Sequence, residues 1–67
     1  GGEFDDIKKM IAQTRSLIRE NKLDEAKQWL DRVHISLKKS KLNADKKKIL
    51  SYAVLDLETD FNLAKLD

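Results

Sequence analysis

The side chains able to do chemistry are few in this chain, and their spacing keeps them apart. His34 is the only histidine. As a general base or a metal ligand it would need a partner one helical turn away, and four positions on stands Lys38, whose charged ammonium has no lone pair to offer. His34 is therefore expected at the edge of a core. Asp56, Glu58 and Asp60 raise the possibility of a hard-cation site. On a helix, residues two apart point away from each other, which leaves Asp56 and Asp60 as one like-charged pair facing solvent, fewer oxygens than such a cation requires. No Ser stands in a nucleophile elbow, and the only glycines, Gly1 and Gly2, form no phosphate-cradling loop. With no Cys, the chain has no thiolate nucleophile, no thiolate zinc site and no disulfide framework. The expectation is a protein with no catalytic residue, no metal, no cofactor and no small-molecule substrate.

A second chemistry is electrostatic. Lys38, Lys39, Lys41, Lys46, Lys47 and Lys48 fall within residues 38–48 beside a single acid, Asp45, so six positive charges against one negative leave a local +5. Such a segment could contact nucleic acid or another polyanion, each lysine that neutralises a phosphate adding to the salt dependence. Against nucleic acid as the main ligand stand only three Arg in the chain, no aromatic residue among the lysines and no base-reading helix surface. In an antiparallel bundle the start of the first helix reaches the same end, where Asp5 and Asp6 would neutralise part of the cluster and leave a solvated loop.

Composition sets the frame for both chemistries. The chain has 67 residues, 14 Lys and Arg against 12 Asp and Glu, no Pro, and 40% apolar side chains. That is one small domain whose stability depends on an efficient core. The charged fraction of 39% is nearly balanced, with a net charge of +2, so bulk charge argues only weakly for a nucleic-acid partner. No apolar run approaches the ~18 residues of a membrane span, and no signal peptide is legible. A cytoplasmic setting is the default expectation for such a chain. Gly1-Gly2-Glu3-Phe4 reads as a remnant of cloning or tag removal, so that residues 5–67 are expected to form a domain drawn from a longer protein.

The elements follow from apolar spacing. Ile7, Met10, Ile11, Leu17 and Ile18 recur at intervals of three and four, with Thr14 in the middle of the stripe, which predicts a helix over about 5–20. Asp5 and Asp6 suit its N-cap and first turn, and Asn21 suits a left-handed C-cap. Leu23, Ala26, Leu30, Val33 and Leu37 form a second stripe over about 24–39, flanked by Trp29, expected to seal the edge of the core, and by His34. Asn43 is a credible N-cap for a third helix over about 44–66, with Leu42 placed to staple its entry. The third helix is the longest, ~33 Å against ~24 Å for each of the others at a rise of ~1.5 Å per residue. Short connections force antiparallel neighbours, so the predicted fold is all-α, a small up-down-up three-helix bundle. The runner-up is a helical hairpin whose third helix belongs to a dimer.

The turn Asn21-Lys22-Leu23-Asp24-Glu25-Ala26, followed by Leu30 and Val33, resembles the turn of a tetratricopeptide hairpin, which carries Gly-Asp-x-x-x-Ala. The likeness spans one repeat, roughly Asp6 to Lys38. Asn21 replaces the Gly, and Thr14 and Arg15 lie near the place of the family's bulky residues. A hairpin followed by a longer helix is also similar in layout to the microtubule-interacting-and-trafficking domain. Those domains bind peptide helices in a groove, so the resemblance implies a binding role, without assigning residues.

The third helix is apolar on two sides. At ~100° per residue, Leu50, Ala53, Val54, Leu57, Phe61 and Ala64 make one stripe, the expected core face. Tyr52, Leu55, Leu63 and Leu66, with Thr59 between them, make another on nearly the opposite side. A monomeric bundle buries one broad face of each helix, and contiguous apolar surface left in water commonly marks an interaction site. The reading is a non-enzymatic protein–protein interaction module that offers Tyr52, Leu55, Leu63 and Leu66 to an apolar helix of another protein or to a second copy in a homodimer. The alternative is a basic adaptor for nucleic acid or another polyanion through residues 38–48.

Overall fold

The computed structural model describes residues 2–66 and contains three helices in the order α1 (Glu3–Arg19), α2 (Leu23–Lys39) and α3 (Ala44–Lys65). Gly1, within the expected remnant, and Asp67, at the end of the expected domain, lie outside the described residues. Each helix packs on both of the others, making the all-α antiparallel bundle with a longer third helix that the apolar spacing predicts. The bundle measures 37 × 18 × 16 Å.

α1 buries Ile7, Ile11, Leu17 and Ile18, and it also buries Thr14 completely. Thr14 is tolerated there because its hydroxyl donates to the Met10 carbonyl at 2.8 Å, one turn back. The helix begins at Glu3, two residues before the expected start, with Gly2 as a cap that has no side chain to offer. This corrects the placing of Asp5 as N-cap: with Glu3 and Asp6 it lies within an acidic first turn, where negative charge opposes the helix dipole favourably. Glu3 and Phe4, set aside in the sequence reading, take part in the fold. Phe4 packs partly buried against the core, and Glu3 Oε1 accepts a hydrogen bond from the Lys41 backbone N–H at 2.9 Å. These two contacts tie the start of α1 to the segment between α2 and α3.

α1 ends as Asn21 suggests. Its φ is +59°, the left-handed region, and its N–H donates to the Ile18 carbonyl at 3.0 Å while that of Lys22 donates to the Leu17 carbonyl at 2.9 Å. Two otherwise orphaned carbonyls are satisfied in this way, and the chain reverses in three residues. A left-handed residue other than Gly costs of order 1 kcal/mol, less for Asn, so Asn21→Gly should raise unfolding free energy by roughly 0.5 kcal/mol in a denaturant titration. A fall instead would place the stabilising role in the Asn side chain. Beside this turn, a hydrogen bond from Lys22 to Glu20, whose carboxylate stands 3.2 Å away, raises the pKa of the Lys22 ammonium, and the charge of Glu25 adds to it.

α2 carries Asp24 and Glu25 in its first turn and Lys38 and Lys39 in its last, the order the helix dipole favours. It buries Ala26, Leu30 and Val33. Ala26 and Val33 are fully enclosed, and a side chain as small as Ala lets α2 approach its neighbour closely. Trp29 is half-buried at the edge of the core, its ring 5.2 Å from the Arg32 guanidinium. At Ser40 the backbone turns extended and ends the helix. The Ser40 hydroxyl is buried and has no partner among the described residues, a small cost carried by the connection.

Asn43 caps α3 as its position predicts, its side-chain oxygen accepting from the Lys46 N–H at 2.9 Å. Leu42, just before the cap, packs against the core. From there Leu50, Val54, Leu57 and Phe61 run along the buried face, with Ala53 and Ala64 beside them. The last helical residue is Lys65, one short of the expected end, and Leu66 is its cap.

Candidate interaction surface

The core face of α3 is sealed: Leu50, Val54 and Leu57 are 1%, 3% and 0% exposed. The two partner helices close round that face and no further. On the far side Tyr52, Leu55, Leu63 and Leu66 are 62%, 58%, 59% and 81% exposed, so all four residues singled out by spacing lie outside the bundle. Thr59 links the two halves of the stripe. Its hydroxyl donates to the Leu55 carbonyl at 3.0 Å, which spends its polar valence within the helix and leaves its methyl as the group free for contact.

Ile49 belongs to this surface and was missed. It is 57% exposed and precedes Tyr52 by three residues, the same interval that separates Tyr52 from Leu55. Its place beside the core residue Leu50 in the sequence hid it, although adjacent helical residues lie ~100° apart. With Ile49 included, the stripe runs from residue 49 to residue 66, about 26 Å at the helical rise. The positions Ile49, Tyr52, Asp56, Thr59, Leu63 and Leu66 then follow intervals of 3, 4, 3, 4 and 3, the repeat of a helix seam. Ile35 on α2 is also exposed, at 53%, but it lies outside this row: its neighbours one turn away are Asp31, Arg32, Lys38 and Lys39, and it borders a separate hollow with Ile7 and Met10 of α1.

Polar groups border the stripe on both sides. Asp56 lies within the seam and Asp60, one turn on, along one edge; both are exposed, and among the described residues no cation lies within 4 Å of either. Glu58 faces α2, where its Oε2 stands 3.1 Å from His34 Nε2. His34 is thus half-exposed in a bridge between α2 and α3, beside the buried Leu30, Val54 and Phe61 at the edge of the core. Next to this bridge the α2–α3 groove holds a shallow hollow of ≈ 230 Å³ lined by His34, Leu37, Ser51, Val54, Leu55 and Glu58. Leu55 therefore borders both the outer stripe and the groove.

The basic segment does not converge. Lys46, Lys47 and Lys48 are consecutive on α3 and leave the helix at ~100° steps, as do Lys38 and Lys39 on α2. Lys46 lies with its ammonium 5.6 Å from the centre of the Phe4 ring, Lys47 is half-buried, and Lys48 reaches the side that carries the apolar stripe. Asp5 and Asp6 make no ion pair with the cluster: among the described residues none of the six lysines has a carboxylate within 4 Å, while Glu3 and Asp6 line one hollow with Lys39 and Glu3 accepts from the Lys41 backbone N–H. Within each run, consecutive lysines therefore point apart, and neither run presents a single basic face.

Among the described residues no group of three or more His, Asp or Glu side chains is placed to hold a metal ion, and no helix is long and apolar enough to cross a membrane. Comparison of the chain with protein-family models, with curated proteins and with solved structures finds no match.

Proposed function

We propose that this domain is a non-enzymatic protein–protein interaction module that docks an apolar helix of another protein along the outer face of α3. The reading rests on one observation: Tyr52, Leu55, Leu63 and Leu66 stay more than half exposed on the side of α3 opposite a sealed core. Removing a Leu side chain from water fully contributes ~1.5 to 3 kcal/mol, so a helix covering this row gains several kcal/mol before ordering costs. Contact would be helix on helix, with Leu55 extending it towards the α2–α3 groove. The likeness in layout to the microtubule-interacting-and-trafficking domain, a binder of peptide helices, is in keeping with this use. So is a cytoplasmic setting.

Salt separates this reading from polyanion binding through Lys38, Lys39, Lys41, Lys46, Lys47 and Lys48. Binding of a synthetic amphipathic helix, measured by calorimetry, should weaken only a few-fold between about 50 and 300 mM salt, since apolar burial is not screened. Binding of a single-stranded oligonucleotide through those lysines would collapse over the same range. An oligonucleotide that binds tightly and steeply with salt, beside a helix that does not bind, would reverse the assignment.

A further inference from the structure

Resting on that reading, the charge pattern of α3 says what kind of helix covers it. The apolar residues of the seam fall into two pairs, Ile49 with Tyr52 and Leu63 with Leu66, fourteen residues apart or about 21 Å along the axis. Between them lie Leu55 towards the α2–α3 groove, Thr59, and the carboxylates Asp56 and Asp60, which have no cation within 4 Å among the described residues. A second copy of this chain is a poor occupant of that middle section. If two α3 helices ran antiparallel with the whole stripe overlapped, Ile49 would face the second copy's Leu66 and the two-fold axis would fall between residues 57 and 58. Asp56 and Asp60 of both chains would then crowd together on one side of the seam. If they ran parallel, Asp56 would oppose the second copy's Asp56 within the seam itself. Sliding antiparallel copies until Lys48 meets the second copy's Asp56 separates the acids, but it leaves Leu63 and Leu66 with no helix opposite them. Every self-pairing of the full stripe thus brings like charges together, which disfavours the wrong partner more strongly than a surface ion pair favours the right one.

We infer that the occupant is a basic amphipathic helix from a different chain, with two apolar anchor pairs about two heptads apart and Lys or Arg midway between them, against Asp56 and Asp60. The apolar pairs supply affinity, and the central cations select this partner over a copy of the domain.

The test uses two synthetic helical peptides of about 24 residues that share apolar anchors in the heptad pattern, one with Lys and one with Glu at the central positions. Calorimetric titration of the intact domain at low salt should show the Lys peptide binding about tenfold more tightly than the Glu peptide, since each central contact changes from attraction to repulsion. A domain carrying both Asp56→Lys and Asp60→Lys should invert that preference, and sedimentation of the free domain should show a monomer. Equal binding of the two peptides would overturn the charge inference and leave the docking surface standing. If neither peptide binds, the docking reading itself falls. A dimer of the free domain at neutral pH that Leu63→Asp dissociates would make a second copy the occupant, and the inference would be wrong.

Discussion

Replacing Leu57 by Ala is expected to lower unfolding free energy by about 2–5 kcal/mol, the range for emptying a fully enclosed Leu site. Leu57 is wholly buried on the core face of α3, a helix that packs on both α1 and α2. A bundle of three single helices has no further layer to relax into the space, so most of the cavity should persist. Total stability for a chain of this length is on the order of 3–10 kcal/mol. A single cavity could therefore consume most of it, and Leu57→Ala should denature at a far lower urea concentration or be unfolded already in buffer. In the latter case Leu57→Met, which keeps the volume, should fold with a loss under about 1.5 kcal/mol. Leu55→Ala is the matched control. Two residues away on the same helix, its side chain is 58% exposed, and its loss should cost under about 1 kcal/mol. A large loss at Leu55 with a small one at Leu57 would mean that the two faces of α3 have been exchanged.

The second large effect falls on binding. Leu63→Asp places a charge within the exposed row, where water already reaches the position, so stability should change by no more than about 1 kcal/mol even with an acid near a helix C-terminus. In a complex the same carboxylate would take the place of one of the apolar anchors and lie against apolar side chains of the partner, while Lys65 of the domain itself lies over the Phe61 ring at 5.4 Å. Losing an anchor Leu and setting a charge against apolar side chains together cost at least about 2 kcal/mol, so affinity for an amphipathic helix should fall at least thirtyfold. Calorimetry for binding and thermal melting for stability separate the two consequences. Unchanged affinity in a folded Leu63→Asp domain would remove the outer face of α3 as the docking surface.

The helices and two of their polar caps, Asn21 and Asn43, were legible because each has a local cause, whereas the expected Asp5 cap lies inside α1. The stripes of α1 and α2 show the helical interval, Asn43 offers an oxygen to an N–H three residues on, and Asn21 tolerates the left-handed backbone that the first turn requires. The exposed row was legible for a related reason: a three-helix bundle has only two neighbours to cover each helix, and the interval of Tyr52, Leu55, Leu63 and Leu66 sets them opposite Leu50 and Leu57. What escaped the sequence was tertiary. Glu3 and Phe4 look dispensable in one dimension, and only the return of the chain past Lys41 and Lys46 gives them partners. His34 finds Glu58 across 24 positions, a pairing that no local spacing announces. Ile49 was concealed by adjacency to a core residue.

A helix with grease on two opposite sides poses a problem during folding as well as offering a surface afterwards. Turned half a revolution about its own axis, α3 would still present aliphatic groups to α1 and α2, and such a decoy could rival the native arrangement. The residues standing among Tyr52, Leu55 and Leu63 guard against it, for the inverted arrangement would drag Lys48 and Asp56 inward without partners, at a cost that hydrocarbon contact does not recover. The same charges that shape what may dock from outside thus help decide which way round the helix sits.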